Sequence, residues 1–367
     1  GHMDTGPRSM RAAHAALSRA MALSEDEWIR GRSYALGGVT VGVPVMSGRR
    51  LTGDWGYAFF LDQQSIGHGG LPVGDGVAFG GIDYSIAGRE PDVETAEASG
   101  PILYLWRREM ADSGGPGAYR GGNSLETLFV PWKVDRAELA HSCAGGVVPT
   151  RGTRGGYPGG TSWVEVFRDA LPEDYARLPD PQSLEMEPVP VAAKCSNFTL
   201  GVKDGVRELM TGGSGWGDPL LRPIAEVEAD IERGSITREA AAGAFGVVFG
   251  ADGTVDPEAT AKLRRERRSD RLGSEAPELA DETRRAAVRP SGGRLSCSFC
   301  DADLGAVAAV TSGAPENSIA RRYPLADRLA EWNVPIQAGR EETFDLLEHC
   351  CPGCGTLIEV DVVSSAT

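Results

Sequence analysis

Asp112-Ser113-Gly114-Gly115-Pro116-Gly117-Ala118-Tyr119-Arg120-Gly121-Gly122 packs five glycines and one proline into eleven residues. Neither a helix nor a plain strand accommodates that density, because glycine loses the most backbone freedom on ordering and proline removes an N–H donor. The segment has to be a shaped loop, whose glycines supply positive φ or close backbone approach while Pro116 fixes one φ. A backbone bared in this way can receive an anion, a substrate or another backbone, framed by Asp112, Tyr119 and Arg120. The nearest match to a dinucleotide fingerprint, Gly115-Pro-Gly117-Ala-Tyr-Arg120, has arginine where the third glycine belongs, which argues against a Rossmann site.

This segment resembles the DSGGPGxYRGG signature of the hydantoinase B/oxoprolinase family, which includes the large subunits of acetone and acetophenone carboxylases. Thr211-Gly-Gly-Ser-Gly-Trp-Gly-Asp218-Pro219, followed by an acidic helix and Gly234-Ser-Ile-Thr-Arg-Glu-Ala-Ala, resembles that family's GGGGYGDP region and the segment after it. Both stretches stand in family order. The resemblance runs over about residues 30 to 272 and corresponds to the C-terminal half of a full-length member.

The pattern along the chain predicts an α+β fold with a glycine-rich, β-dominated body. Gly1-His2-Met3 resembles a cloning remnant and stays outside the fold reasoning. An N-terminal helical segment is expected over 4–33, where Ser24-Glu-Asp-Glu27 reads as a capping box restarting the helix at Trp28 and Ile29. A hydantoinase B-like β-rich domain follows over 34–221, a helical segment over 222–273, a linker over 274–293 and a zinc-binding module over 294–363. Strands are expected at Pro101–Trp106 and Ser124–Val130, on either side of the glycine loop, and at Thr161–Phe167, with a hairpin turn at Val202–Val206. Thr237 and Asp256-Pro257 read as helix starts, Gly234 and Gly273 as stops, and Pro179–Pro190 as a connector.

No run approaches eighteen apolar residues and no apolar leader opens the chain, so a cytoplasmic protein without a membrane span is expected. A net charge of −15 argues against a nucleic-acid partner. The basic run Lys262–Arg268, interleaved with Glu266, reads as a solvated or subunit-facing helix.

Among candidate site residues, His68 stands bare between glycines, either as a hydrogen-bonded loop residue or as an accessible imidazole for proton transfer or ligation. Asp75, Asp83 and Asp92 read as turn and cap residues. Arg120 can grip a carboxylate or bicarbonate through its fork, with Asp112 orienting it, or it can pair internally. His141 and Cys143 can share a metal, but two ligands do not make a site. The glycines at Thr211–Gly217 lack the lysine of a P-loop, so no ATP site of that class is expected in this chain.

Cys297-Ser-Phe-Cys300 and Cys351-Pro-Gly-Cys354 are two knuckles whose thiolates can converge on one ion, and the expected occupant is a structural zinc. An iron–sulfur cluster and a redox pair are the alternatives. Cys350 or His349 can replace Cys351, although only Cys351 and Cys354 keep the two-residue gap. The module resembles the small zinc-containing gamma-type subunit of acetone and acetophenone carboxylases, here fused behind the hydantoinase B part. Five basic and eleven acidic residues from 291 onward make it a poor nucleic-acid ribbon.

Together the resemblances imply a subunit of a multi-subunit carboxylase acting on a ketone or related enolisable substrate with bicarbonate. They imply a hydantoinase A-like partner that uses ATP, and a chain supplying the N-terminal half of hydantoinase B together with its divalent transition metal. The expected catalytic set in this chain is His68, Asp112 and Arg120, and the isolated chain is expected to be inactive. The alternatives are a subunit of an ATP-dependent cyclic amide hydrolase, or a non-catalytic assembly subunit in which the glycine loops are packing devices.

Overall fold

The structure, a computed structural model, describes residues 2–38, 44–59, 62, 65–81, 92–142, 146, 148–171, 187–192, 194–279, 285–310, 314–337 and 343–366. Asp83, Cys143 and parts of the Pro179–Pro190 connector and the 274–293 linker lie outside them. The fold is mixed, with sheets dominating the body as the glycine and strand pattern implied.

Two antiparallel sheets share one apolar core. The first, in the order β2-β1-β5-β8, contains β1 (Val45–Arg49), β2 (Trp55–Phe59), β5 (Arg136–Ser142) and β8 (Lys194–Gly201). The second, β3-β4-β9-β6-β7, contains β3 (Ile102–Glu109), β4 (Leu125–Pro131), β6 (Trp163–Phe167), β7 (Val189–Pro190) and β9 (Gly205–Leu209). Alternation along each strand sends Met46, Leu139 and Leu200 from one sheet against Phe129, Val164, Val166 and Val206 from the other. The Val202–Val206 turn forms, but it is not a hairpin: β8 pairs with β5 and β9 with β4 and β6, so the chain crosses from one sheet to the other there. A turn signal fixes the reversal and says nothing about which neighbours the strands choose.

Helix α1 (His2–Ala22) precedes α2 (Glu27–Arg30), whose cap is Asp26, accepting from the N–H groups of Trp28 and Ile29; Ser24 does not cap it. Asp92 caps α3 (Val93–Ser99) as expected. Beyond the sandwich, α4 (Ile224–Glu232), α5 (Arg238–Phe245) and α6 (Pro257–Leu272) begin and end near the sequence signals: Thr237 and Asp256 cap α5 and α6, and Gly273 closes α6 at φ 74°.

The C-terminal stretch holds two three-stranded antiparallel sheets. One is β10 (Val288–Ser291), β11 (Arg294–Cys297) and β12 (Asp303–Ala306); the other is β13 (Ile319–Pro324), β14 (Phe344–Cys350) and β15 (Leu357–Ser364), with α7 (Leu325–Ala330) beside it. Val227, Phe245, Leu329, Leu346, Val360 and Tyr157 form one core across α4, α5, α7 and this second sheet. No helix among the described residues is long and apolar enough to cross a membrane.

Candidate functional site

The glycine loop is part of a bundle of extended segments hydrogen-bonded to one another. Residues 113–122 lie against 67–70, 76–79, 153–160 and 211–217 through Gly115 N–H to Gly213 O (2.7 Å), Gly122 N–H to His68 O (2.7 Å), Gly213 N–H to Gly122 O (2.9 Å) and Gly215 N–H to Tyr157 O (2.9 Å). The backbones approach so closely that a methyl on Gly212 would sit 1.6 Å from the Ser113 oxygen, and one on Gly121 2.0 Å from the Gly213 oxygen. Between the two uses foreseen for these glycines, the structure takes close approach. Within 112–122 the one left-handed residue is Asp112, at φ 62°.

Arg120 is 7% exposed and turned inward. Its Nε lies 3.2 Å from Asp230 Oδ1 and 3.9 Å from Asp75 Oδ2, while its backbone N–H donates to Asp75 Oδ1. Arg222 spans the same two carboxylates, donating to both Asp75 oxygens at 2.7 Å and to Asp230 at 2.6 Å. Arg233 adds a third cation to Asp230 at 2.5 Å. Burial pushes the Asp75 carboxyl up, but Arg222 and Arg120 more than reverse this and hold it below its ordinary value. The network ties the glycine bundle to α4. Asp75, expected as a turn residue, is instead one of its two carboxylates.

Asp112 fastens the other end of the loop to α5: Oδ1 accepts the Thr237 N–H and Oδ2 the Thr237 hydroxyl, both at 2.7 Å. Burial raises its carboxyl above the ordinary range, against the pull of those Thr237 bonds. His68 is half-buried; its ring lies against Gly80, and its Nε2 has no hydrogen-bond partner among the described residues. Neither Asp112 nor His68 is a partner of Arg120. The loop brings all three candidates onto one bundle, with Arg120 and Asp112 committed to internal partners. Asp230 and Arg222 were missed, because nothing local in the sequence marks residues that meet only through tertiary packing.

At the C-terminal end, Cys297, Cys300, Cys351 and Cys354 place their sulfurs within 4.8 Å of one another. Cys297 and Cys354 are 3.6 Å apart and Cys300 and Cys351 3.5 Å, close to the edge of about 3.8 Å expected for a tetrahedron with metal–sulfur bonds of about 2.3 Å. The Phe299 and Gly353 N–H groups point at Cys297 and Cys351 sulfurs, as knuckle turns require. Hydrogen bonds from Cys297 and Cys351 lower the Cys354 thiol, and a cation bound among the four sulfurs would favour thiolates at all of them. The four residues fit a metal ion with no open position.

A register shift at His349/Cys350 turns Cys350 away into the helical core, where burial pushes its thiol up to about 12. His349 bonds Ser318 instead at 3.1 Å. Neither joins the cluster.

The cysteine module is bonded to the glycine-rich body. Asp218, fully buried, accepts the Leu357 N–H (2.8 Å), the Leu220 N–H (3.0 Å) and the Arg271 guanidinium (2.7 Å). Arg268 donates to the Cys354 carbonyl at 3.1 Å, and the Tyr157 hydroxyl to Glu348 at 2.6 Å. The basic run of α6 is thus largely internal: Arg264 and Arg267 also donate to the last carbonyls of α5, while Lys262 remains solvated.

Against this geometry, the model of the family described as Hydantoinase B/oxoprolinase matches residues 1–219, a span that includes both glycine-rich signatures. The chain is similar to the acetone carboxylase alpha subunit of Xanthobacter autotrophicus, with 30% identity over 58% of this chain and 30% of that one. It is also similar to the acetophenone carboxylase delta subunit of Aromatoleum aromaticum, with 27% identity over 70% of this chain and 39% of that one. A third relative is the caprolactamase subunit beta of Pseudomonas jessenii, 29% identical over 46% of this chain and 27% of that one. A nucleotide-free acetone carboxylase structure superposes with a TM-score of 0.55 at 26% identity, over 64% of this chain and 34% of that one. The chain spans less than two-fifths of the length of each of these proteins.

Proposed function

This chain belongs to the hydantoinase B/oxoprolinase family, and from that premise we propose that it is a subunit of a multi-subunit ATP-dependent carboxylase that joins bicarbonate to a ketone or related enolisable substrate. The observation that carries this reading is a four-cysteine module docked, through Asp218 and Tyr157, onto a body similar to acetone and acetophenone carboxylase subunits. On this proposal a hydantoinase A-like partner uses ATP, and another chain contributes the remaining family length with its divalent metal.

Cys297, Cys300, Cys351 and Cys354 hold zinc, which supplies folding energy and closes its own coordination shell. Arg120 and Asp112 act as positioning residues that fix the glycine bundle. His68 is the third candidate on this bundle, with a buried Nε2 that has no hydrogen-bond partner among the described residues. The similarity to a caprolactamase subunit favours a second reading, cyclic amide hydrolysis. Affinity purification of the complex from its native host separates the two. ATP consumption that requires bicarbonate and a ketone supports the carboxylase, whereas consumption driven by a lactam without bicarbonate overturns it.

A further inference from the structure

A second concentration of unsatisfied polar groups lies between the two sheets of the sandwich. His141 on β5 and Glu208 on β9 face each other across the core, 4% and 2% exposed, with Nε2 3.8 Å from Oε1. Both ring nitrogens of His141, both carboxylate oxygens of Glu208 and the hydroxyl of Thr127 lack a hydrogen bond among the described residues. Thr127 stands directly beside Glu208 in the β4–β9 register. Native interiors leave few such groups unpaired, and five gathered in one place mark a missing partner.

The charges point the same way. The neighbouring Asp62 has its own cation in Arg107, 2.5 Å away, and accepts the Tyr104 hydroxyl at 2.9 Å. Among the described residues, the cation-capable partner of Glu208 is His141, and burial raises the Glu208 carboxyl. A direct His141–Glu208 pair at 3.8 Å is too long for a hydrogen bond and leaves the second ring nitrogen and the second carboxyl oxygen without partners among the described residues, whereas buried charges are paired or coordinate metals. An ion held at about 2.0–2.2 Å by an imidazole nitrogen and a carboxylate oxygen allows those two atoms to lie up to about 4.2 Å apart. The observed separation of 3.8 Å falls within that reach.

We propose that His141, Glu208 and the adjacent Thr127 hydroxyl together hold a divalent transition-metal ion, with water completing its shell. Imidazole with carboxylate suits zinc, manganese, iron(II) or cobalt(II), and the ligands come from opposite sheets, so the ion staples the sandwich. The site is separate from the cysteine cluster in ligand type and position, and the inference is independent of the carboxylase reading. His141 was visible in the sequence as half of a pair with Cys143; the ligand opposite it is Glu208, which comes from the other sheet.

Metal content of the purified full chain, measured after equilibration with micromolar zinc, tests this directly. Two equivalents per chain are expected in the wild type. The isosteric Glu208→Gln and His141→Ala should each retain one. After cobalt(II) replacement, Glu208→Gln should hold one cobalt fewer per chain than the wild type, with the d–d and thiolate-to-cobalt charge-transfer bands of the cysteine cluster unchanged. One equivalent in the wild type overturns the proposal whatever the variants do, as does undiminished binding in a folded Glu208→Gln.

Discussion

Substituting Gly212 by alanine tests whether close backbone approach, rather than loop flexibility, is what the glycines provide. The added methyl would meet the Ser113 carbonyl oxygen at 1.6 Å and its carbon at 2.4 Å, both backbone atoms that no rotamer change can remove. Reaching van der Waals separation requires the two segments to part by about 2 Å. That displacement puts at risk the bonds from Gly212 to Gly160, Gly115 to Gly213 and Gly213 to Gly122, at 3.2, 2.7 and 2.9 Å. Three bonds at about 0.5–1.5 kcal/mol net, added to an overpacking cost of about 1–3 kcal/mol, give about 2.5–7.5 kcal/mol. Native domains have about 5–15 kcal/mol in total, so the variant should melt about 5 °C or more below the wild type, or fail to fold. The control is Gly74→Ala, where nothing lies within 4 Å of the added methyl and the change should stay within about 0.5 kcal/mol. Differential scanning calorimetry of the pair decides the matter. Gly212→Ala melting with the wild type would show that the bundle yields, and the packing argument would be refuted.

Three further expectations follow from buried charges and sulfurs. Asp230→Asn deprives Arg120, Arg222 and Arg233 of a shared buried carboxylate and should cost about 3–5 kcal/mol in urea unfolding, so a loss below about 1 kcal/mol would contradict the network. Cys351→Ser should abolish metal binding at the cysteine cluster while Cys350→Ser leaves it intact, a distinction that metal analysis of the folded proteins reads directly. Burial holds the Glu359 carboxyl up at about 7 against an ordinary 4.5, with Arg19 opposing, so the native state binds this proton more tightly than the unfolded chain. Its stabilising contribution is complete below pH 4.5 and is lost as pH rises through 7. Thermal midpoints of the wild type should therefore fall relative to Glu359→Gln across that interval, and parallel pH profiles would reject the shift.

What the sequence revealed and what it hid divide along a physical line. Local signals were legible: Thr237, Asp256 and Gly273 bound their helices where capping chemistry put them, and two Cys-x-x-C turns converged because each turn fixes its own pair of sulfurs. The density of glycine correctly demanded an unusual backbone, but close approach to a carbonyl and freedom for positive φ leave the same residue in the sequence. Only the packed partner distinguishes them, and for Gly115 that partner is Tyr157, whose oxygen an added methyl would meet at 2.3 Å. Internal pairing of Arg120 was foreseen as an alternative, but its partner was beyond local reach, since Asp230 becomes its neighbour only when α4 docks on the bundle.

Asp218 shows why the cysteine module and the glycine-rich body depend on each other. Its carboxylate is fully buried, and its satisfaction comes from three places: Leu220 in its own turn, Arg271 at the end of α6, and the Leu357 N–H at the start of β15. β15 begins directly after the second knuckle, so an ion held by Cys351 and Cys354, as proposed above, would set its position. Withdrawing that ion frees the start of β15, removes one donor from a buried carboxylate, and leaves the Arg271 pair to bear a charge that burial penalises. On that proposal, the Gly217-Asp218-Pro219 element is the point through which metal binding by the C-terminal cysteines would stiffen the glycine bundle.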